Sequence, residues 1–304
     1  MTQSYWLGGL KLASDFSLPT LARWDGPGDA AADIAIRRGE VPPRLDRPDH
    51  VAPIFQTRGR NEYLLALPGT GRILVQNGNE ITVDPDRGAD DRTTSAVLTG
   101  TIQAVLGHQR GLLPLQASAV EIGGRAVALC GLPASGKSTL AAMLAAEGAA
   151  VVADGLCLVD AREGEPVSVW PGCTRLRLWA DALERLGIGS TALPRALTGR
   201  DAFFLDCAGP LPRARSALGT VIVLYRGETR RVELKRMRGT LAVRSLYSRV
   251  HTRRPAGALG RGQAIFAAVN RLASSGATIW ALKIPSDPSY LREAAANVLT
   301  ARDG

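Results

Sequence analysis

The chain has 304 residues, 45% of them hydrophobic, a globular composition long enough for one large or two medium cores and unlike that of a disordered chain. Its formal charge of +9, carried almost wholly by arginine, favours acidic partners such as nucleotides or acidic peptides, although an arginine-rich solvated surface gives the same number. No apolar run reaches the ~18 residues of a membrane helix, and the opening MTQSYWLGGLKLASDF lacks the basic and apolar regions of a signal peptide, so a cytoplasmic location with no membrane partner is expected.

Residues 1–92 read as a small β-rich domain. DIAIRRG, EYLLALPG and RILVQNGNEITVD are short apolar runs broken by turn residues, and Asn77-Gly78 is a strong hairpin signal. DPDRGADDR (84–92) reads as a linker. TTSAVLTGTIQAVLGHQRG (93–111) then reads as a helix with a threonine cap and a stop at Gly111. From there to residue 304 strands and helices alternate, which predicts an α/β domain on a mostly parallel or mixed sheet. LPLQASAVEIGGRAVALCG gives two strands about Gly123-Gly124. KSTLAAMLAAEG is a helix ending at Gly148, and AAVVADG a buried strand. GTVIVLYRG and ATIWALKIP follow as strands, RGQAIFAAVNRLASSG and SYLREAAANVLTAR as helices. Cys130, Cys157, Cys173 and Cys207 form no C-x-x-C pair and His50, His108 and His251 are scattered, so neither a zinc site nor a disulfide framework is expected.

The sharpest motif is GLPASGKST: Gly131, Leu132, Pro133, Ala134, Ser135, Gly136, Lys137, Ser138 and Thr139. It satisfies G-x-x-x-x-G-K-[ST] between a predicted strand and a predicted helix, the context that phosphate binding requires. The two glycines let successive N–H groups turn toward one phosphate, and the helix start adds its dipole. Lys137 sets an ammonium against the outer phosphates, and the Ser138 hydroxyl is a ligand for Mg²⁺. Thr139 helps hold the α-phosphate. A nucleotide with Mg²⁺ is the expected ligand. Asp154, at the end of an apolar strand after the loop, can place a carboxylate beside the magnesium site; the bland alternative is an aspartate that caps the next turn.

The segment RGLLPLQASAVEIGGRAVALCGLPASGKSTLAAMLAAEGAAVVADG resembles the HPr serine kinase/phosphorylase family, and more closely the HPr-kinase-like tailoring kinases of lasso-peptide biosynthesis. The opening LGGLKLASDFSLPTL and TRLRLWADALERLG (174–187) are similar too. The resemblance implies an HPr kinase/phosphoenolpyruvate carboxykinase-like catalytic domain behind the smaller β-rich one. It implies phosphoryl transfer from ATP to a serine hydroxyl of a ribosomally made peptide or small protein, such as a lasso precursor peptide, and a homo-oligomer. Lys137 and Asp154 are the implied catalytic residues.

Two positions depart from the family pattern. Gln116 stands where the family has histidine, and Gly155 where it has a second aspartate. One carboxylate cannot readily be both metal ligand and base. Asp160, Glu163, Glu165 and Asp181 are candidate substitutes. The departures keep two alternatives open: a non-catalytic nucleotide-binding or scaffold protein, and different nucleotide-dependent chemistry on the same fold. In YRGETRRVELKRMRGTLAVRSLYSRVHTRR (225–254) an arginine could reach the γ-phosphate, or the segment is a solvated basic face. It lacks the interleaved aromatics of a nucleic-acid surface. Arg175 and Arg177 alternate on one strand face toward phosphates, while Trp179 and Leu183 read as core. Ser118 and His108 have no evident partner.

Overall fold

The apolar runs build two large sheets joined through one helix. The computed structural model describes residues 2–207, 212 and 214–302. The first sheet comprises β1 (Gln3–Leu7), β2 (Leu10–Ser14), β3 (Ala22–Arg23), β4 (Ile34–Arg38), β5 (His50–Val51), β6 (Phe55–Arg58), β7 (Glu62–Leu67), β8 (Gly71–Gln76) and β9 (Glu80–Pro85). Its strand order is β3-β1-β2-β4-β9-β8-β7-β6-β5. The Asn77-Gly78 hairpin forms as expected between β8 and β9, with both residues left-handed (φ +53° and +69°), the twist a tight hairpin needs.

The predicted helix over 93–111 forms as α1 (Asp91–Val97), a π-turn (Leu98–Ile102) and α2 (Gln103–Gln109). Its cap is Asp90, not a threonine: the Asp90 carboxylate accepts from Thr93 N–H at 2.8 Å, so the helix starts two residues before Thr93. It stops at left-handed Gly111, where Leu112 N–H reaches Gly107 O (2.8 Å) and Gly111 N–H reaches His108 O (3.1 Å). Leu98, Ile102, Val105 and Leu106 enter the first sheet's core, while Ala104 packs with Leu112, Leu158 and Trp170 of the second half. The helix therefore lies between the two sheets.

The second half runs β10 (Leu113–Leu115), β11 (Ala117–Ile122), β12 (Arg125–Cys130), α3 (Lys137–Ala146), β13 (Ala150–Ala153), β14 (Cys157–Asp160), β15 (Ser168–Trp170), β16 (Arg175–Trp179), α4 (Ala180–Arg185), β17 (Ala202–Asp206), β18 (Ser216–Gly227), β19 (Glu233–Arg236), α5 (Gly239–Tyr247), α6 (Arg253–Ala258), α7 (Gly262–Ser274), β20 (Thr278–Pro285) and α8 (Leu291–Arg302). LPLQASAVEI reads as one strand but forms two, because β10 pairs with β14 while β11 pairs with β12 and β13. Gln116 lies at the parting.

The second sheet is mixed. Its order is β10-β14-β15-β18-β12-β11-β13, with β20 pairing β18 and β19; β12–β18 and β18–β20 are parallel. One face packs on α5 and α7 through Leu246, Ile265, Val269 and Leu272, the other on α3, α4 and α8 through Leu140, Leu183 and Val298. Each such side chain contributes about 1.5–3 kcal/mol on burial. The fold is thus mixed α/β with two large sheets and the two-stranded antiparallel β16–β17 sheet.

The halves meet closely. Gly8 N–H donates to Pro171 O (2.8 Å) and Thr174 N–H to Thr20 O (2.8 Å). Gly8 is left-handed (φ +57°), and a Cβ there would fall 2.4 Å from the Trp170 ring, so only glycine allows this approach. No described helix is long and apolar enough to cross a membrane.

Candidate nucleotide site

β12 ends at Cys130 and α3 starts at Lys137, and the loop between them is shaped by its small residues. A Cβ on Gly131 would sit 2.3 Å from Ser135 Oγ, so the turn closes only around glycine. Gly136 is left-handed (φ +94°) at the helix N-cap, and Ala134 is left-handed as well (φ +63°), a conformation that costs a residue with a Cβ. No side chain caps α3, so its first N–H groups face the loop's concavity. Lys137 folds over the loop, donating to Leu132 O at 2.7 Å, and burial pulls its ammonium below its ordinary pKa while Asp154 pulls the other way. Cys130, wholly buried beneath, has its thiol pushed up to about 12 and is packing.

Asp154 follows β13. Its Oδ1 accepts from Ser138 Oγ and from Ser118 Oγ, each at 2.7 Å, and its Oδ2 from Arg177 N–H at 2.9 Å. Ser118 thus gains a partner that the sequence did not reveal. The pairing of β13 with β11, irregular between Ala119 and Val120, brings Ser118 and Asp154 together. Ser138 Oγ and Asp154 Oδ1 are hard oxygen donors 2.7 Å apart, near the ~3.0 Å edge of an octahedron with Mg–O bonds of ~2.1 Å. These two residues fit Mg²⁺. Asp154 does not cap the turn behind it.

A cavity of ≈ 400 Å³ opens over the loop. Gly131, Pro133, Ala134, Gly136, Lys137, Ser138, Thr139, Asp154 and Gly155 line it, with Arg177, Arg185, Arg200 and Arg226 at its sides. Leu132 and Ser135 do not: Leu132 projects outward (55% exposed) and Ser135 is buried under the loop. Arg226 comes from the end of β18, with Nη1 4.0 Å from where a Gly136 Cβ would be, and donates to Ser286 O. In the 225–254 segment it is the only arginine in this wall. Arg236 and Arg253 instead lie over Trp280 and Tyr247.

Trp179 is not core. It is the last residue of β16, whose exposure alternates, so Leu176 and Leu178 are buried while Arg177 and Trp179 face out; Trp179 is 45% exposed and stands in the cavity wall with Ala182 and Leu197. Leu183 is fully buried as expected.

No family model matches the chain, and no curated protein matches it. Among solved structures it is similar to the HPr(Ser) kinase/phosphatase from Coxiella burnetii, with 11% identity over 62% of this chain and 95% of that one. The TM-score is 0.29. A superposition this loose carries no residue and no role from one chain to the other.

The two departures are now placed. Gln116 N–H donates to Arg249 O (2.8 Å) and its carbonyl accepts from Gly131 N–H (3.1 Å), so it ties the loop to the turn after α5; it also lines the cavity. Gly155 is left-handed (φ +75°), and a Cβ there would point to Arg177 Nη2, 3.9 Å away. Where a second carboxylate was expected, a guanidinium stands nearby.

The substitute acids do not replace that carboxylate. Asp160 is fully buried and bonded to Arg162 (2.6 Å) and Arg215 (2.9 Å); burial would raise its pKa, but these bonds and charges hold it below the ordinary range. Asp181 lines the cavity yet pairs with Arg185 at 2.8 Å. Glu163 and Glu165 line neither this cavity nor the one beside it.

His251 is the residue that sequence reasoning missed. It lines the cavity, and no local pattern in the sequence marks it. His108 lies behind it: its Nε2–H donates to His251 O at 2.9 Å, and burial draws the His108 imidazole down to about 4. The assembled groups can hold a polyphosphate, a divalent cation and a neutral imidazole in one space.

Proposed function

We propose that the chain binds Mg·ATP in this cavity and transfers its γ-phosphoryl group to a hydroxyl of a peptide or small protein. The observation that carries the reading is the meeting of Ser138 and Asp154 at the base of a cation-rimmed cavity over a strand–loop–helix turn. In this reading the loop N–H groups and Lys137 hold the β- and γ-phosphates, and Thr139 approaches the α-phosphate. Arg226 and Arg177 face the transferred group. Mg²⁺, held by Ser138 and Asp154 with water and phosphate oxygens completing its shell, supplies charge neutralisation. Phosphoryl transfer asks mostly for this neutralisation and alignment, so one metal-bound carboxylate serves it.

The family resemblance of the sequence extends the proposal to the acceptor: a serine of a ribosomally made peptide, with a lasso precursor as the first one to try. The test is calorimetric titration with Mg·ATP, followed by mass spectrometry of serine-containing peptides after incubation. Wild type should bind and yield a phosphate-sized mass gain. Lys137→Ala should bind at least about tenfold more weakly and give none, since an ammonium–phosphate contact is worth about 1.5–3 kcal/mol. Equal binding by the two proteins would sink the proposal.

Trp179 is placed to stack on the nucleobase, whose face can lie between it and Leu197. Base stacking is worth about 1–3 kcal/mol. Trp179→Ala should therefore weaken Mg·ATP binding about tenfold with little change in the rate of the bound complex, and ATP should quench the Trp179 fluorescence of the wild type.

A second reading draws on Gly155. A site with no acid beside Asp154 at position 155, and with Asp181 paired to Arg185, also suits a protein that binds nucleotide without turning it over. Binding without any mass gain or ADP release would select it.

A further inference from the structure

A second cavity, ≈ 150 Å³, lies at the seam between the two halves. Its walls are Leu7 and Thr20 from the first half, Ser95, Thr99 and Gln103 from the α1–π–α2 helix, and Trp170 from the second sheet. It shares Asp154, Gly155, Arg177 and His251 with the nucleotide cavity, so the two spaces meet at these residues. A π-turn, Leu98–Ile102, supplies part of the wall, a distortion found often at functional sites.

Among the described residues two ring nitrogens of the side chains in this wall, Trp170 Nε1 and His251 Nδ1, are buried without a hydrogen-bond partner. The His251 backbone is fixed by its N–H to Pro114 O (2.9 Å) and by the bond from His108. The next residue, Thr252, is β-branched and left-handed (φ +49°), a strained conformation of the kind that collects at active sites.

We propose that the seam cavity is the acceptor site and that His251 is the catalytic residue that takes the proton from the acceptor hydroxyl; the proposal rests on the kinase reading above. The acceptor oxygen forms a bond to the γ-phosphorus, the bond from that phosphorus to the β–γ bridging oxygen breaks, ADP leaves, and the hydroxyl proton passes to the His251 imidazole and then to water. The cavity is sized for one side chain or a chain end. Arg92 and Arg177 against the single acid Asp154, with Arg175 paired to Asp206, favour a hydroxyl flanked by anionic groups.

Burial keeps His251 below its ordinary pKa and therefore neutral at pH 7. The charged groups that share its two cavity walls or adjoin it are Asp154 after β13, Arg175 and Arg177 on β16, Asp181 and Arg185 on α4, Arg200 before β17, Lys137 on α3, Arg226 on β18, Arg92 on α1, Arg249 two residues before it, and His108 behind it.

The experiment follows ADP release by the full chain from Mg·ATP with water as acceptor, alongside calorimetric Mg·ATP binding. His251→Ala and His251→Gln should each lower kcat by about 10²–10⁴-fold and change the Mg·ATP Kd less than about threefold. Added imidazole should restore part of the His251→Ala rate, which it does not do for a side chain that only supports the fold. The wild-type rate should fall as pH drops through the lowered His251 pKa, and the variants should lose that limb. An unchanged kcat in His251→Ala, a loss that imidazole does not relieve, or tight Mg·ATP binding by the wild type with no ADP release each overturns the base. If wild type and Lys137→Ala both fail to bind Mg·ATP, the kinase reading itself falls and takes the acceptor site with it.

Discussion

Asp154→Asn should lower Mg·ATP turnover by at least about 10²-fold while leaving metal-free nucleotide binding within a few fold. The asymmetry follows from what each carboxylate oxygen does. Oδ1 receives the Ser118 and Ser138 hydroxyls and, with Ser138, makes the oxygen pair that fits Mg²⁺. Oδ2 receives the Arg177 N–H. Asparagine can keep one oxygen toward the serines, but its amide nitrogen then meets the Arg177 N–H, two donors face to face, at a cost of about 1–3 kcal/mol. In the proposed reading it also removes the anionic ligand that Asp154 offers the metal, and metal sites weaken about 10–100-fold even when only a supporting residue is lost. Lys137 and the loop N–H groups remain, so nucleotide without metal still binds. Calorimetry with and without Mg²⁺, beside ADP release, reads both halves. Full turnover in the variant would remove Asp154 from the metal and from the chemistry.

The strand–loop–helix turn at 131–139 was legible in the sequence because its conformation depends on residues close in the chain. Gly131 must clear Ser135, and Gly136 must be left-handed to start α3, so spacing alone marks the turn. The Asn77-Gly78 and Gly123-Gly124 hairpins were legible for the same reason. The partners of Asp154 were not. Ser118 reaches it only through the β11–β13 pairing and its irregularity, a long-range register that no local pattern states. Trp179 was misread because its spacing to Leu183 suits a helix, whereas it belongs to β16, where period two governs and turns it outward. His251 reaches the site from the turn between α5 and α6, held by Pro114 and His108, contacts that no spacing reveals. The α1–α2 helix was legible as an element, but its place between the halves was not, since both of its faces carry apolar or small residues.

Gly155→Asp, which restores the paired acids of the sequence resemblance, should lower Mg·ATP turnover by at least about tenfold rather than raise it. The new Cβ would point at Arg177 Nη2 from 3.9 Å, so the new carboxylate has a guanidinium within reach. Among the described residues the Arg177 side chain has no ion-pair partner, and it stands in both cavities. An aspartate would pair with it and withdraw that charge from the phosphoryl group, where an arginine supplied to the transition state is worth about 10³–10⁵ in rate in other phosphoryl-transfer enzymes. The backbone adds a smaller cost, since φ is +75° at this position, although aspartate tolerates the left-handed region better than most residues. Gln116→His should not reverse the loss, because the Gln116 backbone, not its side chain, ties the loop to Arg249. Arg177→Ala supplies the control: Gly155→Asp should cost little more in that background, the non-additivity expected of two groups that act through one another. A rise in turnover on Gly155→Asp would mean instead that the single carboxylate marks an eroded site. A fall that persists unchanged without Arg177 would place the cost in the backbone and not in the charge.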